Sequence, residues 1–266
     1  MAFMIGSDKV GEIGFGTWGL GGTSTASYDR DGEHTEIIRY AVEKGLKMVD
    51  TAEMYGAGHT EELVGRAIKG IPREDVFVVS KVWPTHLHYD DVIRAARASL
   101  RRLGLSYIDL YLIHWPNSEV DIAETISAME KLVDEGVTRY IGVSNFTIDD
   151  LEKALPATKR HDIVANQIKY SVFHREPEEK LIPFCRYNKI TVIAYSPLNR
   201  GNGLQEHRLA EVASASGMTP VQAALCYVKR QAMPIPKASR KEHVDEIAGA
   251  IGRELGEDAY RQLREI

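Results

Sequence analysis

The sequence predicts an α/β fold, a (β/α)8 TIM barrel of parallel strands with outer helices, and three observations carry that expectation. Stretches with apolar residues three and four apart alternate with short, unbroken apolar runs. About eight such runs occur, continuously apolar in the manner of strands covered on both faces. No Pro/Gly/Ser-rich linker interrupts the repeat across the 266 residues, so the chain reads as a single barrel domain, 1–266, in preference to its rival, a doubly wound open sheet.

The elements follow in order. Glu12–Phe15 reads as the first strand. A helix over Glu36–Lys44 shows an apolar stripe at Ile37, Ile38, Ala41 and Val42, stops at Gly45, and leads into a strand over Leu46–Val49. The helix–strand unit then recurs: Glu62–Lys69 with Val76–Val79, Val92–Leu103 with Ile108–Ile113, Thr125–Glu135 with Tyr140–Val143. Asp149–Leu155 precedes Ile163–Ala165, Glu178–Tyr187 precedes Thr191–Ala194, and Pro220–Gln231 precedes Ile235.

Composition excludes several classes. A net charge of -5 and a pI near 6.0 give no basic field for nucleic acid. Cys185 and Cys226 are too few for a disulfide framework or a thiolate metal site, which points to a reducing compartment and no metal. The start, MAFMIGSDKV, lacks a leader's basic and apolar pattern, and no run of 18 apolar residues follows, so the expectation is a cytoplasmic protein without a membrane partner.

In such barrels chemistry gathers where strands end and βα loops begin. The apolar runs here end in Asp50, Lys81, His114, Ser144-Asn145, Gln167, Tyr195-Ser196 and Lys237, close to the ~31-residue spacing of eight units in about 250 residues. The last interval is longer and implies an insertion, for which Leu198–Gly203 has the composition. Taken singly, a lysine is usually a solvated cap and a histidine a satisfied core residue. An acid, a base and an imidazole on three consecutive strands instead converge on one mouth, with Tyr55 on the loop after Asp50. Such a group supports proton delivery to a carbonyl oxygen. A phenol titrates near ~10, so Tyr55 needs its pKa lowered by two to three units to act as an acid at neutral pH, and one ammonium ~4 Å away at an effective dielectric of about 20 supplies about 4 kcal/mol. Asp50 would keep Lys81 charged, and His114 would hold the carbonyl. With no metal cluster, the reducing equivalent comes from a bound cofactor.

At these residues the sequence resembles the aldo-keto reductases, as a short, prokaryotic-type member, over essentially its whole length. MVDTAEMYG matches the segment with the family's aspartate and tyrosine, VVSKVW its lysine, LIHWP its histidine, and Met129 with Arg139-Tyr140-Ile141-Gly142-Val143-Ser144-Asn145-Phe146 its central signature. The resemblance implies NADP(H) as the preferred cofactor, with NAD(H) as a second option, and a small carbonyl or alcohol as substrate. It makes Asp50, Tyr55, Lys81 and His114 catalytic. Ser144, Asn145 and Gln167 would bond the nicotinamide carboxamide and Tyr195 would stack on its ring, with Gly16, Thr17, Trp18, Asp50, Ser196, Leu198, Lys237, Ser239, Arg240 and His243 completing the cofactor contacts. A monomer or weak homo-oligomer is expected.

Two features depart from the aldose-reductase pattern. The loop YGAGHTEELVG looks like the branch that includes potassium-channel β subunits. After Lys237, Ala238 and His243 stand where Ser/Thr and Arg are usual, so His243 is expected to make the NADPH preference stronger in mild acid. Gly14-Phe15-Gly16-Thr17-Trp18-Gly19 satisfies G-x-G-x-x-G, but no helix opens after it, so it is not read as a Rossmann fingerprint. Trp18, Trp83 and Trp115 each follow a strand end and, with His114, are read as pocket wall. The chain stops within its final helix, Leu263–Ile266, which predicts a wide, shallow mouth. Two rival functions are a Schiff-base lyase or aldolase on Lys81 and a cofactor-bound regulatory subunit without significant turnover.

Overall fold

Period-two alternation along the strands sorts the apolar residues into two sets, and that sorting builds the barrel. In the computed structural model, which describes residues 2–266, an antiparallel hairpin of β1 (Phe3–Ile5) and β2 (Asp8–Gly11) precedes eight parallel strands. These are β3 (Phe15–Gly16), β4 (Met48–Asp50), β5 (Phe77–Val82), β6 (Ile108–Ile113), β7 (Thr138–Ser144), β8 (Ile163–Lys169), β9 (Thr191–Tyr195) and β10 (Met233–Pro234), each paired to the next. The two ends of the sheet meet. Gly14 N–H donates to Pro234 O and Gly16 N–H to Pro236 O, both at 2.9 Å, which joins β3 to β10.

Met48, Val79, Leu110, Leu112, Ala165, Ile193, Met233 and Ile235 face inward as one apolar cluster. Val49, Val78, Val82, Tyr111, Ile113, Ile141, Val143, Val192 and Ala194 face outward onto the helices in a second, larger one. One pleat further along the inner row the residue type changes: Asp50 follows Met48, Lys81 follows Val79, His114 follows Leu112, Gln167 follows Ala165, and Tyr195 follows Ile193. The barrel is therefore greasy at one end and polar at the other.

The outer helices are α1 (Asp31–Glu43), α2 (His59–Ile68), α3 (Tyr89–Leu103), α4 (Ile122–Asp134), α5 (Ile148–Ala154), α6 (Leu181–Tyr187), α7 (His207–Ala215), α8 (Pro220–Lys229), α9 (Lys241–Ala248) and α10 (Glu257–Leu263). Their starts follow local chemistry. Asp121 caps α4, and Thr147 with Asp150 and Thr219 with Gln222 form capping boxes on α5 and α8.

The barrel expectation holds, with local differences. The hairpin is absent from the sequence reading because its only deeply buried apolar side chains are Ile5 and Val10, which pack into the inner cluster. The first barrel strand is centred on Phe15–Gly16 instead of Glu12–Phe15. The long interval before Lys237 holds not only a turn at Asn199–Gly201 but an additional helix, α7. The segment read as one helix over Glu178–Tyr187 is a 3-10 turn, Glu176–Glu178, followed by α6.

Closure depends on close backbone approach. A Cβ on Gly16 would lie 2.8 Å from Ile235 O, and one on Gly14 would lie 2.9 Å from Ile235 Cγ2 and 3.0 Å from Met48 O. Gly16→Ala is expected to destabilise by about 1–3 kcal/mol, because backbone rather than a flexible side chain must yield. Gly32→Ala, in α1 with open space around it, is expected to be neutral or stabilising by up to ~1 kcal/mol. Urea denaturation of both variants checks the contrast.

Candidate active site

The site is organised around a lysine ammonium shut off from the surface. Lys81 Nζ, fully buried, donates to the Asp50 carboxylate at 2.8 Å, to Thr51 O at 2.8 Å and to Tyr55 Oη at 3.2 Å. It also lies 4.8 Å from the Tyr55 ring centre. Three N–H groups meet three acceptors, so the ammonium is fully satisfied. Strand register brings the acid and base together, since Asp50 and Lys81 end the inner rows of neighbouring strands.

Tyr55 needs a different device. It opens the turn Tyr55–Gly58, in which Gly56, Ala57 and Gly58 all have positive φ, at 55°, 51° and 93°. Gly56 N–H donates to Thr23 O at 2.7 Å, and a Cβ on Gly56 would come within 2.4 Å of Gly21 O. The glycine-rich loop after β3 thus pins the tyrosine loop by backbone contact that larger side chains would block. Ala57 carries left-handed strain without glycine's freedom.

Burial sets the protonation states. The Tyr55 phenol is pushed well above 10 by burial, by the Asp50 charge and by Tyr195. The expectation that Lys81 would lower the Tyr55 pKa is therefore corrected: dehydration and the Asp50 carboxylate, which balances the ammonium charge, outweigh it, and the resting phenol keeps its proton. Burial also pulls Lys81 below its usual range, against the opposing charges of Asp50 and Glu61. His114 is depressed to about 3 by burial and by Lys81, so its imidazole is neutral.

A second set of polar groups lies beside these four. Gln167 Nε2 donates to Asp50 Oδ1 at 2.7 Å, a link the sequence reading missed. Asn145, at φ 62°, donates from Nδ2 to His114 O and to Ser144 Oγ, both at 3.0 Å, and accepts from Tyr195 Oη at 2.8 Å. Ser144 Oγ donates to Gln167 O at 2.9 Å. Thr17 Oγ1 donates to Asp50 O at 2.8 Å. Amides, hydroxyls and the half-buried Tyr195 ring suit a flat heteroaromatic ring bearing a carboxamide, so the donor set fits nicotinamide chemistry.

The remaining predicted contacts are more dispersed. Ser196 follows Tyr195 with φ 50°, and Leu198 packs against the outer core. Lys237, Arg240 and His243 are exposed, Ala238 is buried and Ser239 is half-buried. Lys241, on the same segment, donates instead to Glu36 of α1. Arg200 lies 4.8 Å over the Trp18 ring, which ties the loop after β9 to the loop after β3.

Trp83 meets His114 edge-on at 5.1 Å, and Trp18 and Trp115 remain 40% and 44% exposed. A carboxylate missed by the sequence reading sits behind this wall. Glu53 Oε1 accepts from Trp83 N–H at 2.6 Å and bonds His86 Nδ1 at 2.9 Å. Its signal was its position between Asp50 and Tyr55. Among the described residues no group of His, Cys, Asp and Glu is arranged to hold a metal, and no helix is long and apolar enough to cross a membrane.

A parallel barrel with a Lys-Asp-Tyr-His group at the C-terminal ends of its strands defines a carbonyl-handling oxidoreductase architecture. A sequence model of the Aldo/keto reductase family matches residues 12–266, and the chain belongs to that family. Methylglyoxal reductase YeaE of Escherichia coli K12 is 38% identical over 259 residues, covering 94% of this chain and 88% of the relative. The thermostable aldo-keto reductase Tm1743, crystallised with the inhibitor epalrestat, superimposes with a TM-score of 0.95 at 43% identity, covering 100% of this chain and 99% of that one. An aldo-keto reductase from Klebsiella pneumoniae in complex with NADPH gives 0.90 at 37% identity, covering 97% and 92%.

The neutral His114 makes the fold acid-sensitive. Its folded pKa of about 3 lies below the unfolded 6.5, so below pH 6.5 the unfolded chain binds the extra proton and stability falls toward pH 3. Between pH 6.5 and 4.5 the loss is expected to be roughly 2 kcal/mol, or on the order of 5 °C in Tm. Glu12, held at about 2 by Lys229 and Gly252 against the opposing effect of burial, loses its contribution only below its unfolded value of 4.5. Thermal melts of wild type and His114→Asn at both pH values check this, with a smaller pH dependence expected in the variant.

Proposed function

We propose that the protein reduces small aldehydes and ketones with NADP(H), or runs the reverse oxidation, with Tyr55 as the proton donor. The observation that carries the reading is the buried contact of Lys81 with both Asp50 and Tyr55. The nicotinamide supplies hydride when bound. Asn145, Gln167 and Ser144 would hold its carboxamide, Tyr195 would lie against its ring, and Lys237, Ser239 and Arg240 would offer charge-assisted donors to the 2′-phosphate. Gly16, Thr17, Trp18, Ser196 and Leu198 would line the remainder, with His243 nearby.

The chain's own part is to orient the carbonyl and manage one proton. Neutral His114 holds the carbonyl oxygen by one N–H. As negative charge gathers on that oxygen, the Tyr55 hydroxyl is beside it and gives up its proton. A raised phenol pKa does not prevent this, because a developing alkoxide is a much stronger base than a phenolate. Lys81 then donates to the phenolate oxygen, while Asp50 keeps the ammonium charged. Dry walls strengthen each of these interactions.

The rival lyase reading loses support from the same contacts. Burial lowers the Lys81 pKa, but its three N–H groups all meet acceptors, one of them a carboxylate, and these contacts favour the ammonium, whereas Schiff-base formation needs a free lone pair. The regulatory-subunit reading rests on loop resemblance alone. Small, reactive substrates are favoured by the exposed Trp18 and Trp115, which give apolar contact with few directional polar groups. The relative named as a methylglyoxal reductase supports dicarbonyls within that range.

Tyr55→Phe is expected to lower the rate of carbonyl reduction by at least ~10²-fold while leaving NADPH affinity nearly unchanged. NADPH consumption with small aldehydes and tryptophan-fluorescence titration read the two quantities. Near-normal turnover by the folded variant would sink the Tyr55 assignment.

The pH profile gives a separate check. Tyr55 stays protonated to well above 10 and His114 stays neutral down to about 3. The kcat for reduction is therefore expected to be flat from pH 5 to 9 at saturating substrate, whereas alcohol oxidation, which needs the phenolate, should rise with pH. A reduction limb centred near neutrality would contradict the dry-phenol picture. On the cofactor, NADPH is expected to bind more tightly than NADH, because Lys237, Ser239 and Arg240 offer donors to the 2′-phosphate. Dissociation constants for the two cofactors decide it.

A further inference from the structure

His114 is the one member of the catalytic group whose ring is held by no hydrogen bond. Its Nδ1 is buried without a partner, and among the described residues no side chain bonds either ring nitrogen. Two aromatic rings stand close to perpendicular to the imidazole: Tyr55 at 5.7 Å and 74°, and Trp83 at 5.1 Å and 86°. Tyr55 is fixed by Lys81 and its strained turn. The placement of Trp83 therefore decides where the imidazole points.

Trp83 follows the end of β5 and precedes the turn Pro84–His86. Three side-chain hydrogen bonds fasten this corner to neighbouring loops. Asn117 Nδ2 donates to Pro84 O at 3.0 Å from the loop after β6. Glu53 Oε1 accepts from Trp83 N–H at 2.6 Å from the loop after β4. The Glu53 side chain is only 10% exposed, whereas His86, which shares the same oxygen at 2.9 Å, is about half exposed. The short, charge-assisted bond to the Trp83 backbone N–H is the stronger of the two that Glu53 makes.

We propose that Glu53 is a positioning residue of the reaction: through the Trp83 backbone it sets the indole ring that orients the His114 imidazole toward the substrate carbonyl. Its carboxylate is engaged by the Trp83 N–H and by His86, so Glu53 acts through Trp83 and its effect falls on productive substrate binding. The inference rests on carbonyl reduction being the activity.

Glu53→Ala is expected to raise KM for a small aldehyde about tenfold, with kcat within threefold and NADPH affinity within twofold of wild type. Glu53→Gln keeps an oxygen that accepts from Trp83 N–H and should recover most of that loss. Glu53→Asp, too short to reach, should behave like Ala and replaces it if E53A does not fold. An independent readout is NMR of the labelled protein, in which the Trp83 amide proton moves upfield and the His114 ring resonances shift in E53A, and much less in E53Q. A KM within twofold of wild type in folded E53A or E53D, E53Q as impaired as E53A, or unmoved His114 resonances would each overturn the proposal. Wild-type protein without carbonyl turnover would instead overturn the functional reading, and the resonances would still decide the Glu53 link.

Discussion

Placing a lysine ammonium where water cannot reach it is the constraint from which the rest of the site follows. An isolated buried charge costs far more than a domain's net stability, so Lys81 is tolerable only with every N–H matched. Asp50 gives the opposite charge, Thr51 a backbone oxygen, and Tyr55 a hydroxyl. Each acceptor makes its own demand. Asp50 has to end the adjacent strand opposite Val79, two residues before Lys81 on the same inner row, Thr51 has to leave that strand at once, and Tyr55 has to return on a turn tight enough to need positive φ at three successive residues. The left-handed backbone at Gly56, Ala57 and Gly58 is thus a consequence of satisfying one cation.

Much of this was legible from the inner-row pattern. Polar residues that end apolar runs at the barrel repeat have to share one mouth if the strands are parallel and closed, so Asp50, Lys81, His114 and Gln167 could be grouped before any coordinates. Tyr55 joins them as a residue of the loop after Asp50 and through the match of MVDTAEMYG to the family's tyrosine segment. What periodicity cannot show is which hydrogen bonds the grouped residues choose. Gln167 was read as a cofactor ligand, yet one amide N–H goes to Asp50. Glu53 carries no periodic signal, because its function lies in an N–H of a residue thirty positions away. The Tyr55 pKa was misjudged for a related reason. A Coulomb estimate for one ammonium omits both the dehydration and the carboxylate that accompanies it.

The Gly14-Phe15-Gly16 segment illustrates how one sequence pattern serves different physics. In a Rossmann unit such glycines clear space for a pyrophosphate at a helix start. Here they clear space for another strand: β3 donates to β10 through Gly14 and Gly16, and a methyl at Gly16 would meet the Ile235 carbonyl oxygen. The spacing is explained by closure of the sheet. Small hydrophobic anchors were harder to read for the opposite reason, since Ile5 and Val10 are too few to give the β1–β2 hairpin a pattern of its own.

The Asp50–Gln167 bond gives the architecture a further property. One carboxylate is shared between the Lys81–Tyr55 pair proposed to move the proton and the amide proposed to receive the nicotinamide, so the two halves of the proposed reaction are joined through a single side chain. A substitution that reshapes one half displaces the acid that charges the other. Adaptation to new substrates along this fold is therefore channelled outward, to the exposed Trp18 and Trp115 side chains, which can be exchanged without disturbing the shared carboxylate. That division separates what the scaffold can vary from what it has to inherit intact.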